Sequence, residues 1–451
     1  MRIHFIAIGG SAMHNLALAL ADAGHQVSGS DDQILEPSKS RLQEAGLLPK
    51  KEGWDPETIT TQLDCVILGM HARPNNPELA RAQELGLTIQ SYPEFLFNST
   101  KNDHRIVIGG SHGKTTITSM LLHAFKWNNK PVNFMVGAQL DGFDRMVQLD
   151  PKLQTAVFEG DEYLSSPIDR RPKFFWYQAN CTLLSGIAWD HINVFPTEEN
   201  YIEQFDTYLK TLAPNATLVW CEEDEHLAKV VRRTHRKDLN LISYRTPEAT
   251  LEADGSSRVN WSDGNRSQTP LIGTHNLQNL AGARALAESV GIAASDFDEA
   301  MMSFTGAARR LELLKETENF TAFRDFAHAP SKLRATTNGV KDAFPKRHLT
   351  AVFELHTFSS LNKEFLPTYR SALARADTQV VYYDPEVLKH KNMPELSASF
   401  IAQCFGHSEQ LVIIDSKTEL QAFLNDQYAE NRVLLLMSSG WFSKVTPDWL
   451  D

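Results

Sequence analysis

Apolar positions along the chain come in short β-branched or aliphatic runs, and longer stretches with apolar residues at helical spacing lie between them. Runs at 2–8, 26–30, 65–68 and 88–90 predict four strands, with a helix from the turn at 9–13 to about residue 23. The polar stretch 98–103 reads as a linker. Beyond it, strands are predicted at 106–108, 155–158 and 181–185, and a helix at 117–126. Two Asp-Gly turns, Asp254-Gly255 and Asp263-Gly264, flank a strand-like run at 258–261 and predict a hairpin insert. Gly273-Thr274-His275-Asn276 opens a helix predicted over 277–290, with Asn276 as its N-cap. Asn279 lies one turn further on the same face, which capping does not explain. After a second linker at 304–312 and the strand that follows it, strands at 320–326, 348–353, 379–383, 411–414 and 432–437 alternate with helices at 331–344, 363–376, 396–404 and 417–424. That alternation predicts a mostly parallel, doubly wound sheet.

The 451 residues exceed what one core holds and suggest about three domains, with boundaries expected at 1–99, 100–307 and 308–451. A content of 42% hydrophobic and 22% charged residues is that of a globular protein. The formal net charge of −12 argues against general binding to nucleic acid or anionic membrane, so an anionic substrate would need a local basic cluster. The four cysteines are far apart and form no CxxC pair, which indicates neither a zinc site nor a disulfide framework. The apolar run at the start is too short for a signal-peptide core, and no later run reaches the ~18 apolar residues of a membrane span, so a cytoplasmic location is expected.

The chemistry concentrates after the strand at 106–108. Gly109-Gly110-Ser111-His112-Gly113-Lys114-Thr115-Thr116 is a glycine-rich turn between strand and helix. Glycines admit backbone N–H groups to phosphates, the helix N-terminus favours negative charge, and a lysine reaches the terminal phosphates. Ile108 stands where the full Walker A pattern has its first glycine, which leaves the shorter Gly-x-x-Gly-Lys-Thr. The turn predicts ATP or GTP binding by Gly110, Ser111, His112, Gly113, Lys114, Thr115 and Thr116, with the Thr115 hydroxyl on Mg²⁺. Glu159 ends a strand at the sheet edge where α/β proteins bind ligands, and is placed to hold Mg²⁺ or to be a solvated loop acid. His191, in Trp189-Asp190-His191, reads as a ligand or as a surface histidine.

Strand, glycine turn, helix, strand and acid also occur at the start of the chain, where Asp31 follows Gly9 by 22 residues. Ala7 occupies the first glycine position, so Gly9, Gly10 and Ser11 form a nucleotide site or a turn serving only helix packing. Arg170, Arg171 and Lys173 form the one local basic run beside the acids, either a substrate loop or a solvated surface.

Laid in order, these stretches resemble the bacterial Mur ligase family along nearly the whole chain. The matches are Ile8-Gly9-Gly10-Ser11-Ala12-Met13, the Gly-Ser-His-Gly-Lys-Thr-Thr turn, Glu159-Gly160-Asp161-Glu162-Tyr163, Trp189-Asp190-His191, Gly273-Thr274-His275-Asn276-Leu277-Gln278-Asn279, Arg309-Arg310-Leu311-Glu312 and Asp325-Phe326-Ala327-His328-Ala329-Pro330. The resemblance implies an α/β fold of three domains: an N-terminal Rossmann-like UDP-sugar domain, a central P-loop ATPase and a C-terminal Rossmann-like domain. Within the family the chain looks most like the two branches that take UDP-N-acetylmuramate itself. One adds L-alanine; the other adds the recovered murein tripeptide L-Ala-γ-D-Glu-meso-diaminopimelate. The stretch from Glu159 through Lys173 and Phe174, together with Arg309–Leu313 and Met437-Ser438-Ser439-Gly440-Trp441-Phe442, favours the tripeptide branch.

There are departures. Gly186 replaces a usual asparagine and Ala329 a usual histidine, and 355–359 lacks the Arg-Tyr-Thr-Arg character of the alanine-adding branch. The chain also has no Asp-Asn-Pro-Arg run, the signature expected of ligases that add free diaminopimelate.

A carboxylate is a poor electrophile, so the implied reaction runs through an acyl phosphate made with ATP, which the amine then attacks. The resemblance implies that Lys114 and Arg310 neutralise the γ-phosphate, and that Thr115, Glu159 and His191 hold Mg²⁺. It places His275, Asn276 and Asn279 at the adenine, Asp325 at the ribose, Gly9, Gly10, Ser11 and Asp31 at the UDP-sugar, and His328 with Arg170, Arg171 and Lys173 in the substrate loop. Other classes stay open: an NAD-dependent oxidoreductase using Gly9–Asp31, which would have no use for a Gly-Lys-Thr loop, or a nucleotide switch, which would not need two metal ligands beside an arginine.

Overall fold

The structure, a computed structural model, describes residues 1–252, 256–308, 310–440 and 442–450. The predicted turn Asp254-Gly255, together with Arg309 and Trp441, lies outside the described residues. The chain forms two compact units. One comprises Met1–Ile187, Ile202–Tyr244 and Gly282–Phe297; the other comprises Ala188–Tyr201, Arg245–Ala281 and Asp298–Asp451.

The first unit begins with a four-stranded parallel sheet in the order β2-β1-β3-β4, built from β1 (Arg2–Ile6), β2 (Gln26–Ser30), β3 (Cys65–Leu68) and β4 (Ile89–Ser91). Helices α1 (Ser11–Asp22), α2 (Ser38–Glu44), α3 (Pro77–Glu84) and α4 (Tyr92–Ser99) accompany it. Asn76 caps α3 by accepting from Glu78 and Leu79 N–H, and Ser91 with Glu94 forms a capping box on α4.

A seven-stranded sheet follows, made of β5 (His104–Gly109), β6 (Asn133–Met135), β7 (Val147–Gln148), β8 (Thr155–Glu159), β9 (Cys181–Leu184), β10 (Thr217–Cys221) and β11 (Asn240–Tyr244). Its order is β11-β10-β9-β5-β8-β6-β7, parallel except for β7. Helix α5 (Lys114–Trp127) leaves β5 directly; α6 (Glu198–Thr211) and α7 (Glu225–Arg233) come later in the chain. The central strands are apolar on both faces, as a covered parallel sheet requires. All four cysteines are buried, and burial pushes the thiols of Cys181 and Cys221 up to about 11 and that of Cys65 up to about 12.

The predicted hairpin insert is a three-stranded antiparallel sheet of β12 (Glu248–Leu251), β13 (Ser257–Asn260) and β14 (Arg266–Thr269). Helices α8 (Thr274–Ser289) and α9 (Ala294–Met301) come next. The last sheet contains β15 (Glu312–Glu316), β16 (Phe320–Asp325), β17 (His348–Leu355), β18 (Thr378–Tyr383), β19 (Leu411–Ile414) and β20 (Arg432–Met437), in the order β15-β16-β20-β17-β18-β19. Only the edge strand β15 is antiparallel, so the predicted doubly wound sheet is present. Its helices are α10 (Pro330–Ala343), α11 (Pro385–His390), α12 (Ala398–Phe405) and α13 (Lys417–Asn425). No helix among the described residues is long and apolar enough to cross a membrane.

Two local expectations fail. The stretch 363–376 is not an α-helix but a set of turns around a short 3₁₀ helix, Leu366–Tyr369. Pro367 removes a backbone donor there, and Ser371 takes φ +60° with its N–H donated to Phe405 O. Burial of Tyr369, whose ring centroid lies 5.4 Å from that of Phe353 and 5.6 Å from that of Phe405, outweighs helical propensity. Asn276 is not an N-cap either. Helix α8 starts two residues earlier at Thr274, and Asn276 sits in its first turn with Nδ2 donating to Ile272 O at 3.0 Å.

The acids after β8 reach the loop after β5 because Gly160 has no side chain. A Cβ at 160 would stand 2.7 Å from Val107 Cγ1 and 3.2 Å from Ile108 O, and Gly160 N donates to that same carbonyl at 2.7 Å. Gly160→Ala is therefore expected to cost about 1–3 kcal/mol by overpacking and to weaken nucleotide binding; thermal melting with and without ADP measures both.

Candidate active site

The loop between β5 and α5 is set by strand register. Ile108 pairs with Glu159 on β8, and Gly109 with Leu184 on β9, so the ends of three parallel strands lie side by side. Lys114 opens α5 and folds back: its ammonium donates to Gly110 O at 2.8 Å and to Glu162 Oε2 at 2.5 Å. The Lys114 side chain is 13% exposed and that of Glu162 1%, so this ion pair is buried. Burial opposes the lysine charge, but Glu162, Asp161 and Glu159 together hold its pKa above the ordinary lysine value. Thr115 Oγ1 donates to Glu159 Oε1 at 2.8 Å, and Gly137 N donates to Glu159 Oε2 at 2.7 Å. Thr115 and Glu159, expected to act together, are brought together. Gly110 and Gly113 both have positive φ, while Ser111 and Thr116 are buried.

Gly186, a departure from the family pattern, has a structural cause. Its φ is +151°, and a Cβ there would lie 2.8 Å from Asp224 Oδ2 and 3.1 Å from the His112 ring. Its carbonyl accepts from Ser111 N at 3.0 Å, and Asp224 accepts from Ile187 N at 3.1 Å. The Ser185 hydroxyl donates to His112 O. The segment 185–187 thus braces the phosphate-type loop from below, and any side chain at 186 would displace it.

At the first glycine turn, Ala7 takes φ +68°, the left-handed conformation that the usual glycine adopts without strain. Its N–H and that of Ile8 both donate to Ser30 O, at 2.9 and 3.0 Å. Asp31, 5% exposed, accepts from Gly9 N at 2.7 Å and from Asp32 N at 2.9 Å. Burial pushes its carboxyl up to about 6. Gly9, Gly10 and Asp31 therefore form one turn, with Ser11 exposed at the start of α1.

Two of the three cations in the basic run at 170–173 are paired with acids. Arg171 is held by Asp169, with Nε to Oδ1 at 2.8 Å and Nη2 to Oδ2 at 3.1 Å, and its guanidinium lies 4.3 Å from the Trp176 ring centroid. Lys173 donates to Asp161 Oδ2 at 2.5 Å and sits 5.5 Å from the Tyr92 ring centroid on α4. Arg170 is exposed.

The second unit contains the remaining predicted residues. His191 has φ +55°, and its N–H donates to Asp190 Oδ1 at 2.8 Å. The other Asp190 oxygen lies 3.5 Å from Lys332 Nζ and 3.8 Å from His328 Nε2. Burial opposes the Asp190 charge, yet Lys332 and then His328 hold the carboxyl well below the usual range. The pKa of His328 itself is lowered by burial and by Lys332. Tyr369 donates its hydroxyl to His328 O at 2.5 Å. The Arg310 guanidinium lies 4.6 Å from the Phe326 ring centroid. Asp325 accepts from Leu311 N and Ala327 N, both at 2.7 Å, and so braces the backbone beside Arg310. His275 packs its Nδ1 edge toward Gly273 and Gly339, where that atom is buried without a hydrogen-bond partner, and burial lowers its pKa. Asn276 and Asn279 are both buried on α8.

Sequence reasoning missed the partners. Glu162, Asp161 and Asp190 stood inside recognised motifs but carried no role, although acids two and three residues past a metal-type glutamate are a signal for lysine partners. Lys332 lies in the first turn of α10, four residues after His328, a spacing that invites a shared acid. Asp224 and Tyr369 are distant in sequence and had no signal.

Comparison with known proteins agrees with this geometry. Residues 2–103 match the domain described as Mur ligase family, catalytic domain; 108–287 match the Mur ligase middle domain; 309–440 match the Mur ligase, glutamate ligase domain. The chain is 29% identical over 350 residues to the UDP-N-acetylmuramate–L-alanyl-γ-D-glutamyl-meso-2,6-diaminoheptandioate ligase of Escherichia coli, covering 74% of each chain. It is 25% identical over 464 residues to the UDP-N-acetylmuramate–L-alanine ligase of Streptomyces avermitilis, covering 100% of this chain and 97% of that protein. Among solved structures, the UDP-N-acetylmuramate–alanine ligase of Thermotoga maritima superposes with a TM-score of 0.75 at 21% identity, covering 99% of this chain and 97% of that one. With three successive domains of one family matched in order, the chain belongs to the Mur ligase family of ATP-dependent amide-bond-forming enzymes.

Proposed function

We propose that the protein joins the lactyl carboxylate of UDP-N-acetylmuramate to the amino group of L-Ala-γ-D-Glu-meso-diaminopimelate, a recovered murein tripeptide, with conversion of ATP to ADP and phosphate. The observation that carries the ligase reading is the pairing of a Gly-Lys-Thr loop with Glu159, whose carboxylate accepts from the Thr115 hydroxyl. The tripeptide assignment rests on the motifs from Glu159 to Phe174 and at 437–442, with support from the 29% identical E. coli relative. L-Alanine as the amine is the second reading, favoured by the relative that matches over the full length of the chain. The domains retained for this reading are 1–99, 100–307 and 308–451, and the expected location is the cytoplasm.

A carboxylate oxygen of the sugar attacks the γ-phosphorus, the bond to the β,γ-bridging oxygen breaks, and ADP leaves. The peptide amine then attacks the acyl carbon, inorganic phosphate departs with the bonding electrons, and the nitrogen gives its proton to that phosphate. Two anions must meet in the first step, so the work of the chain is to neutralise and position. Backbone N–H groups of the loop Gly110–Thr116, apart from that of Ser111, which Gly186 O accepts, cradle the phosphates, and the Lys114 ammonium meets charge growing on the transferred group. The hydroxyl of Thr115 and the carboxylate of Glu159 are hard oxygen donors already within contact, a set that fits Mg²⁺. When bound, Mg²⁺ supplies charge neutralisation between phosphates. His191 is assigned as a further metal ligand, Arg310 to the γ-phosphate, and His275, Asn276 and Asn279 to the adenine. Asp325, first expected at the ribose, is assigned to hold Arg310 in place. The turn of Gly9, Gly10, Ser11 and Asp31 takes the UDP-sugar; Arg170 and His328 remain candidates for contact with the peptide.

Lys114→Ala should abolish phosphate release while leaving the circular-dichroism spectrum unchanged; near-wild-type release would place the ATP site elsewhere. Phosphate release in the presence of UDP-N-acetylmuramate should depend on the tripeptide, and dependence on L-alanine alone would assign the second reading. The Asp31 carboxyl, raised to about 6, is ionised above that pH and protonated below it. Protonation removes an acceptor at the sugar-nucleotide turn, so KM for UDP-N-acetylmuramate should rise as pH falls through about 6, and Asp31→Asn should flatten that profile.

A further inference from the structure

Four charged side chains line the carboxyl edge of β8 in alternating order. Lys114 donates to Glu162 at 2.5 Å, and Lys173 donates to Asp161 at 2.5 Å. Each acid also raises the pKa of the lysine paired with the other, so the group behaves as one compact quadrupole of zero net charge. It is built firmly. Phe174 N donates to Asp161 O at 3.1 Å and Lys173 N to Tyr163 O at 2.9 Å, which fixes the backbone on both sides of Glu162. Asp161 Oδ2 accepts from Lys173, and the carboxylate that accepts from Lys114 is that of Glu162.

An ammonium has three N–H donors. Two of those on Lys114 are used, by Gly110 O and by Glu162. Both acceptors lie at the loop that receives the phosphates under the reading above, and a polyphosphate arriving there meets a buried carboxylate of its own sign. We propose that Glu162 is a positioning residue that acts as an occupied latch: it holds the Lys114 ammonium in place, and nucleotide phosphates must take the ammonium from it. The inference rests on the assignment of Lys114 to nucleotide. A buried lysine with no counter-charge would carry a large desolvation cost, which the buried Lys114–Glu162 pair offsets. The same contact necessarily weakens binding, because one charge-assisted hydrogen bond is exchanged for another instead of being added.

The test is a fluorescence titration with mant-ADP, in excess EDTA and again with Mg²⁺, on the wild type and on Glu162→Gln and Glu162→Asp, each checked by thermal melting. Removing the competing charge should tighten metal-free binding by Glu162→Gln about tenfold. Glu162→Asp, with a shorter arm, should fall between it and the wild type, and it carries the test if the Gln variant does not fold. Unchanged or weaker metal-free binding in the variants overturns the latch while leaving the nucleotide site intact. An effect seen only with Mg²⁺ also overturns it, because Glu162 would then be holding a cation. If the wild type binds no mant-ADP under either condition, the nucleotide assignment fails and the latch fails with it.

Discussion

The parallel register of β5 between β8 and β9 is the constraint on which the rest of the site depends. Parallel pairing delivers the ends of the three strands to one edge of the sheet, and the pairings Ile108–Glu159 and Gly109–Leu184 fix which residues arrive together. A shift of one residue would send Glu159 to the opposite face and remove the partner of Thr115. The loop of Gly110–Thr116, the acids after β8 and the brace at 185–187 are thus three outcomes of a single hydrogen-bonding pattern.

A second theme is the use of carboxylates as clamps on backbone. Asp31 holds Gly9 N, Glu159 holds Gly137 N, Asp224 holds Ile187 N and Asp325 holds Leu311 N. Each of these N–H groups lies outside any helix or strand, so no backbone ladder supplies its acceptor. A carboxylate with two oxygens can satisfy such a donor and keep a second acceptor site for another partner. Rigid loops and polar chemistry come from the same groups.

Much of this was legible from residues alone. Strands such as Cys65–Leu68 and Arg432–Met437 appear where the apolar runs put them, because buried parallel strands are short and almost wholly apolar. The meeting of the Gly-Lys-Thr loop with Glu159 was legible because the one follows a parallel strand and the other ends its neighbour. The stretch 363–376 was misread because its apolar positions serve an aromatic cluster around Tyr369, a long-range effect that local spacing does not encode. The partners of Arg171 and Lys173 were not legible for a related reason. A run of cations shows its charge in sequence, but not the aspartates at 169 and 161 that neutralise it. Gly186 ran the other way: a departure in sequence became intelligible once Asp224 and His112 were seen to fill the space a side chain would need.

The four buried cysteines make the protein convenient to label. Thiols held at about 11 to 12 at positions 65, 181 and 221 leave almost no thiolate at neutral pH, and Cys404 is shifted in the same direction by burial. Alkylating reagents, which react with thiolate, will therefore pass over the native set. A single cysteine introduced at an exposed position such as Ile168, 49% accessible on the segment between the β8 acids and Lys173, would be the one fast-reacting group. A dye attached there would report on that segment in the otherwise unmodified enzyme.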